Sequence, residues 1–552
     1  MAVVTGGELV VRALKAAGVE TLFGLHGAHV DTIFQACADH DLPIIDTRHE
    51  VAAGHAAEGY ARAGNRLGVA VVTAGPGFTN VVTSLANAYL DRTPMLCIAG
   101  TAGLAQAETN TLQAGIDQAA IATPITKWRH RVCVASDLPR LVTEAIRIAT
   151  AAPCGPVLLD MPSDVLNTRI EEVAIPGNAC VNSAAALQTA DVEAIVARLR
   201  AAARPVIMVG AEAWRSGAAD ALVAFAEAAN VPVFSDFPAH GMMPASHPLH
   251  GGTFHKMADL EAPDERPDLI LAFGVRFGLF TLGTSDLIVP HAADIVHVEA
   301  DAREIGLVRP AQIGLVADSR LTLEALAAAV GTQPDRAGWV ALVQAKATTR
   351  RTRLAAEAAA HRGRIHPYAA VAAVAEALPK EAIVIGDGAE AYHWLNETIA
   401  REQPGCYLAH GFLGTVGMGL GLSLGAQALD RTRPVFCLVG DGAVGFTIAE
   451  FDTMARLDLP VVVMVMNNRS WAASQHFQEI ALGPNRVTGT RLGGARYDQV
   501  AEGFGCAGVY VTELADLAPA LTQAFASRRP TCLNVEIDLG PTPPELHLLM
   551  KR

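Results

Sequence analysis

RPVFCLVGDGAVGFTIAEFDTMARLDLPVVVMVMNN, residues 433–468, is an apolar run, a glycine turn, a helical stretch and a second apolar run opened by proline. That order predicts a βαβ unit. The first run, Pro434 to Val439, enters Gly440-Asp441-Gly442, which puts Asp441 at a strand's carboxyl end; Thr447 and Glu450 are spaced as a capping box for the connecting helix. The second run, Pro460 to Met466, ends in Asn467-Asn468-Arg469-Ser470. A right-handed crossover between neighbouring parallel strands would bring the two ends to one crevice.

A carboxylate and an amide converging there have a chemical meaning. Mg²⁺ takes one or two protein oxygens and completes its shell with phosphate and water, and Asp441 with Asn468 offers that set. The glycines let backbone N–H groups approach an anion, and a helix amino terminus adds a favourable dipole. Either tripeptide alone is more often an ordinary turn. Together, one helix and one strand apart, they resemble the thiamine diphosphate signature, a site for a metal and a diphosphate.

The same unit recurs at VAVVTAGPGFTNVVTSLANAYLDRTPMLCIAG from Val69 and RPVIMVGAEAWRSGAADALVAFAEAANVPVFSD from Arg204. The expectation is three doubly wound parallel α/β domains over residues 1–180, 190–335 and 355–552, with joints at 167–189 and in the charged run 346–364, the latter read as a solvated helix. The composition agrees: 51% hydrophobic and 18% charged residues suit buried parallel sheets. A net charge of -14 disfavours nucleic acid. No signal-peptide pattern or membrane-spanning run is found, which predicts a soluble cytoplasmic protein. The nine cysteines are scattered without a CxxC pair, which disfavours a disulfide framework or zinc site, and Cys97 and Cys437 read as core residues.

Upstream, Thr47-Arg48-His49-Glu50 followed by AAGHAAEGYARAGNRLGVAVVTAGPGFTN resembles the pyrimidine-binding domain of the thiamine diphosphate enzymes. Read locally, Glu50 is a charge at a helix start; the resemblance instead implies that it hydrogen-bonds the cofactor's aminopyrimidine. It makes residues 1–180 the pyrimidine-binding domain, 190–335 a central domain and 355–552 the diphosphate-binding domain. The likeness extends over the chain and is nearest to the benzaldehyde lyases, carried by GGELVVRALKAAGVETLFGLHGAHVDTIFQAC, ETNTLQAGIDQ, ITKW and GPNRVTGTRL.

That resemblance implies thiamine diphosphate with Mg²⁺ or another divalent cation, and a homotetramer in which each cofactor lies between the first domain of one subunit and the third of another. It implies cleavage of (R)-2-hydroxy ketones of the benzoin type to two aldehydes, and the reverse ligation. Glu50, His29 and Gln113 are the implied catalytic residues. Gly388, Ala389, Gly414, Val416, Gly440, Asp441, Gly442 and Asn468 would hold the cofactor, with Val416 supporting its bend. Asp441, Asn468 and the Ser470 carbonyl would bind the metal. Ala28, Leu112, Ser163, Tyr392, His410, Ala473 and Phe477 would form the substrate pocket, and His26 is read as structural.

Ser163 stands where the benzaldehyde lyases carry tryptophan, which implies a roomier entrance and puts aryl preference in question. A 2-hydroxyacyl-CoA lyase, a 2-oxo acid decarboxylase and an acetolactate synthase-like enzyme share the cofactor logic and stand as alternatives. A nicotinamide-binding protein is disfavoured, because GPGFTN lacks the third glycine of the dinucleotide fingerprint.

Overall fold

Each apolar run quoted above becomes a strand with both faces covered. The computed structural model describes residues 3–107, 109–177 and 184–550; Glu108, Cys180 and the middle of the 167–189 joint lie outside the described residues. Three six-stranded sheets are parallel throughout. The first runs Ile44–Asp46, Leu22–Gly24, Gly68–Val72, Met95–Thr101, Pro156–Pro162, Trp128–Arg131. The second runs His250–Thr253, Val233–Ser235, Pro205–Val209, Leu269–Phe273, Asp294–Glu299, Ile313–Val316. The third runs Tyr407–Ala409, Ile383–Asp387, Val435–Gly440, Val461–Asn467, Thr531–Glu536, Ala507–Val511.

The strands Val435–Gly440 and Val461–Asn467 are neighbours with Gly440 opposite Met466, as the crossover argument requires. The expected capping box does not form. The connecting segment splits into two helices, Asp441–Val444 and Glu450–Arg456, and Thr447 Oγ1 donates to the Gly417 carbonyl instead. The charged run 346–364 lies largely within the helix Ala337–Ala360. It is not simply solvated: Arg350 is buried, 2.7 Å from Glu397 and 2.9 Å from Asp259.

The first and third domains meet through two helices, Glu50–Gly64 and Gly419–Leu429. Glycines set their separation. A Cβ on Gly425 would lie 1.9 Å from the Ala56 carbonyl oxygen, and one on Gly59 would lie 2.3 Å from that of Leu422. The charges trapped beside this contact are paired: buried Glu58 has Arg62 at 3.1 Å, His55 at 3.2 Å and the Asn87 amide at 2.7 Å. Arg92 ties the first domain to the second through Glu299, Asp301 and Glu304.

The described cysteines are free, and Cys97 and Cys437 are fully buried in strands. Among the described residues, no helix is long and apolar enough to cross a membrane. Because the obstacle at Gly425 is backbone, Gly425→Ala should destabilise the protein by about 1–3 kcal/mol, read as a lower denaturant midpoint with an unchanged slope.

Candidate functional site

A cavity of about 120 Å³ opens where the four inner strands of the third sheet end. It gathers Gly388, Ala389, Val416, Gly440, Asp441, Gly442, Asn468, Ser470 and Ala473. Asp441 Oδ1 accepts the Gly442 N–H at 3.0 Å, and the backbone N–H groups of Arg469 and Ser470 face the same carboxylate. Asp441 Oδ2 is buried without a hydrogen-bond partner. Burial pushes this carboxyl up to about 7, against the pull of those backbone donors.

The turn over Asp441 is tight. Arg469 is in the left-handed region at φ 62°, and Asn468 Oδ1 accepts the Ser470 N–H at 3.1 Å. Ser470 Oγ donates to Gln475 Oε1 at 2.7 Å, so its hydroxyl is engaged away from Asp441. Strand alternation separates the two asparagines: Asn467 binds the Ala495 carbonyl and Asn534 inside the fold, and Asn468 reaches the cavity. Gly442 has no room for a side chain, since its Cβ would lie 2.6 Å from the Trp471 ring. A buried carboxylate oxygen without a donor, beside an amide and glycine backbone, fits a hard divalent cation and a phosphate.

A second chamber of about 210 Å³ shares Ala389 and Val416 with the first and adds Tyr392, His410 and Gly414. Burial pushes His410 down to about 4, so it is neutral, and its ring lies 4.4 Å from that of Tyr392. His255, Leu279 and Phe280 of the middle domain close one side, and Glu545 and Leu549 another.

Glu50, His29 and Gln113 come together elsewhere, around the end of strand Gly68–Val72 and the start of helix Pro76–Leu90. Buried Glu50 accepts from Asn80 Nδ2 at 2.9 Å. His29 Nδ1 is 3.2 Å from Thr73 Oγ1, and a Cβ on Gly75 would lie 2.9 Å from Gln113 Cγ. Gln113 is itself held at φ 63°. Burial lowers the pKa of His29 despite the nearby charge of Asp31. None of these residues lines either cavity. Ala28 and Leu112 are exposed, Leu112 at 81%, as is Phe477 at 57% on the helix that carries Ala473. Ser163 opens the short helix Ser163–Asn167 and lines neither cavity; His26 is exposed and paired with Asp31.

Residues 4–121, 192–326 and 387–535 match the models of the N-terminal thiamine pyrophosphate binding domain, the central domain and the C-terminal thiamine pyrophosphate binding domain of thiamine pyrophosphate enzymes. The chain belongs to the thiamine pyrophosphate enzymes. Its cofactors are thereby thiamine pyrophosphate, the diphosphate anticipated above, and a divalent metal, typically Mg²⁺. An acetolactate synthase large subunit of Mycobacterium tuberculosis is 34% identical over 538 residues, covering 96% of this chain and 95% of that protein. The acetolactate synthase isozyme 1 large subunit of Escherichia coli is 30% identical over 542 residues, covering 97% and 94%. A probable acetolactate synthase large subunit of Methanocaldococcus jannaschii is 29% identical over 557 residues, covering 97% and 92%. These relatives carry the acetolactate synthase name and not that of benzaldehyde lyase, so the resemblance holds at the level of the superfamily.

In this thiamine pyrophosphate enzyme two further carboxylates shape the site, one, Asp387, unread in the sequence and the other, Glu450, read there only as a helix cap. Asp387 accepts the N–H groups of Gly417 at 3.0 Å and Gly419 at 2.7 Å, fixing the loop that carries Val416. Its signal was present, because IVIGDGA at 383–389 repeats the apolar run and GDGA of 437–443. Glu450 accepts the Arg48 N–H at 3.1 and 3.2 Å, holding the turn before Glu50.

Burial raises the Glu450 carboxyl from the ordinary 4.5 to about 7. The folded state therefore binds this proton more tightly than the unfolded chain, and the group's contribution to stability is complete below pH 4.5 and lost as pH rises through 7. Glu450→Gln should remove that dependence, so that unfolding titrations show the variant gaining on the parent between roughly pH 5 and pH 8.

Proposed function

We propose that this thiamine pyrophosphate enzyme makes and breaks the carbon–carbon bond of uncharged 2-hydroxy ketones, releasing or joining two aldehydes. The observation that carries this reading is the lining of the two cavities. Among the described residues neither includes a lysine or arginine; the lining carboxylates are Glu390, Asp441 and Glu545, the histidines His255 and His393 lie against Glu545, and Leu279, Phe280 and Leu549 supply apolar wall. A 2-oxo acid carboxylate entering from this side would give up its hydration where the lining imidazoles His255 and His393 already face Glu545, whereas an aldehyde or hydroxy ketone carries no charge. The names of the relatives support a second reading, condensation of 2-oxo acids as in an acetolactate synthase.

In this proposal Asp441, Asn468 and the Ser470 carbonyl hold the metal, and the glycine backbone at Gly388, Gly414, Gly440 and Gly442 with Ala389 receives the diphosphate. Val416 supports the cofactor between the two cavities. Bound thiamine pyrophosphate supplies the nucleophilic carbon and the electron sink. Glu50 tunes the aminopyrimidine through a hydrogen bond, neutral His29 takes and returns the proton of the substrate hydroxyl, and Gln113 donates to the reacting oxygen. Tyr392, His410, Ala28, Leu112, Ala473 and Phe477 contact substrate, and Ser163 leaves its entrance wide. In this proposal the site is completed between copies, in a dimer of dimers; the separation of the Glu50 cluster from both cavities and the exposure of Leu112 and Phe477 support that reading.

Glu50→Gln should retain fold, metal and cofactor while losing most turnover, about 10²-fold or more; unchanged turnover with bound cofactor would remove Glu50 from the chemistry. The deciding experiment sets (R)-benzoin and an aliphatic 2-hydroxy ketone beside pyruvate, with thiamine pyrophosphate and Mg²⁺. Aldehyde release from the hydroxy ketones is the expected result. Acetolactate formation from pyruvate with no hydroxy ketone cleavage would establish the second reading instead.

A further inference from the structure

The substrate chamber has a wall built from the helix Pro544–Met550. Seven residues are too few to hold a helix in water without tertiary support. Its support is the packing of Leu546, Leu548 and Leu549 on the core, together with one buried carboxylate. Glu545 is 1% exposed; its Oε1 lies 2.5 Å from Nδ1 of His255 and its Oε2 2.7 Å from Nδ1 of His393. Asn396 Nδ2 donates to the same Oε2 at 3.3 Å.

His255 belongs to the middle domain, in the segment Phe254–Asp259, and His393 to the third, on the helix Ala389–Thr398. Both are buried. Withdrawing Glu545 would leave two buried imidazoles without their carboxylate, so the pairings tie its helix to the middle and third domains at once. One turn further on, Leu549 lines the same chamber as Val416 and Tyr392.

We propose that Glu545 is a latch between His255 and His393 that positions the C-terminal helix, and that Leu549 on this helix sets the length of the substituent the chamber accepts. The proposal rests on the reading of this chamber as the substrate site. Its ligand class is the apolar side chain of the substrate, aliphatic or aromatic, lying against Leu549, Leu279 and Phe280. Glu545 is a positioning residue, and Leu549 determines specificity.

Two variants of the holoenzyme test it. Leu549→Ala is assayed with straight-chain 2-hydroxy ketones of rising length and, in parallel, with 2-oxo acids of rising length. The ratio of kcat/KM for longer over shorter substrates should rise about fourfold for each methylene newly accommodated, with the Kd for thiamine pyrophosphate unchanged. A ratio that does not move in either series overturns the role of Leu549. A ratio that moves only among the 2-oxo acids upholds the inference and overturns the proposed substrate class. Glu545→Gln is followed by hydrogen exchange of residues 546–550. Faster exchange there, with a higher KM and an unchanged cofactor Kd, is expected; exchange at the parent's rate overturns the latch. Glu545→Asp, which keeps the charge, should restore part of the protection.

Discussion

Everything the site does depends on how closely two helices approach. The contact of Glu50–Gly64 with Gly419–Leu429 is floored by Gly59 and Gly425, whose missing side chains let backbone lie against backbone. That approach brings the first domain onto the third near enough for Glu450 to hold the Arg48 N–H and for Thr415 to reach Asn87 at 2.9 Å. The turn before Glu50 and the loop before Val416 are thus fixed by the same packing event. A cluster on one domain and a cavity on the other then inherit definite positions, without any loop having to find its place unaided.

The third sheet uses one local motif for two purposes. GDG occurs at the ends of the neighbouring strands Ile383–Asp387 and Val435–Gly440. The first aspartate is fully buried, and its two oxygens accept backbone N–H groups from the Val416 loop, so its charge is spent on shape. The second keeps one oxygen without a donor and faces the cavity. Identical tripeptides on adjacent strands diverge because the returning chain places an N–H group on each oxygen of the first carboxylate, whereas at the second one oxygen is left without a hydrogen-bond partner on the side of the cavity. Burial without a partner costs free energy in folding, and such a cost is tolerated where a ligand removes it.

Much of this was legible in the sequence. Parallel strands buried on both faces carry unbroken apolar runs, so three domains of this type could be read from patterning, and the pairing of Asp441 with Asn468 from the length of one crossover. The helix caps were not: Thr447 and Glu450 have the spacing of a capping box, yet both are drawn into contacts made by remote segments, Gly417 and Arg48. Arg350 reads as a solvated charge because its partners, Glu397 and Asp259, are distant in the chain. The same limit hid Glu545, which looks like one more acid in a proline-rich tail until the two histidines from separate domains appear beside it.

The glycine-floored helix contact also has a consequence for synthesis. The helix Glu50–Gly64 is buried almost all the way round, and the helix that covers it begins only at Gly419. With roughly 5–20 residues added each second, the ribosome leaves that surface uncovered for on the order of half a minute. During this interval the nascent first domain presents a groove shaped for another backbone, beside the paired charges of Glu58 and Arg62. Yield in a cell should therefore be governed by chaperone capacity and elongation speed more than by the stability of the finished fold, and slow codons between the first and third domains would lengthen the exposure.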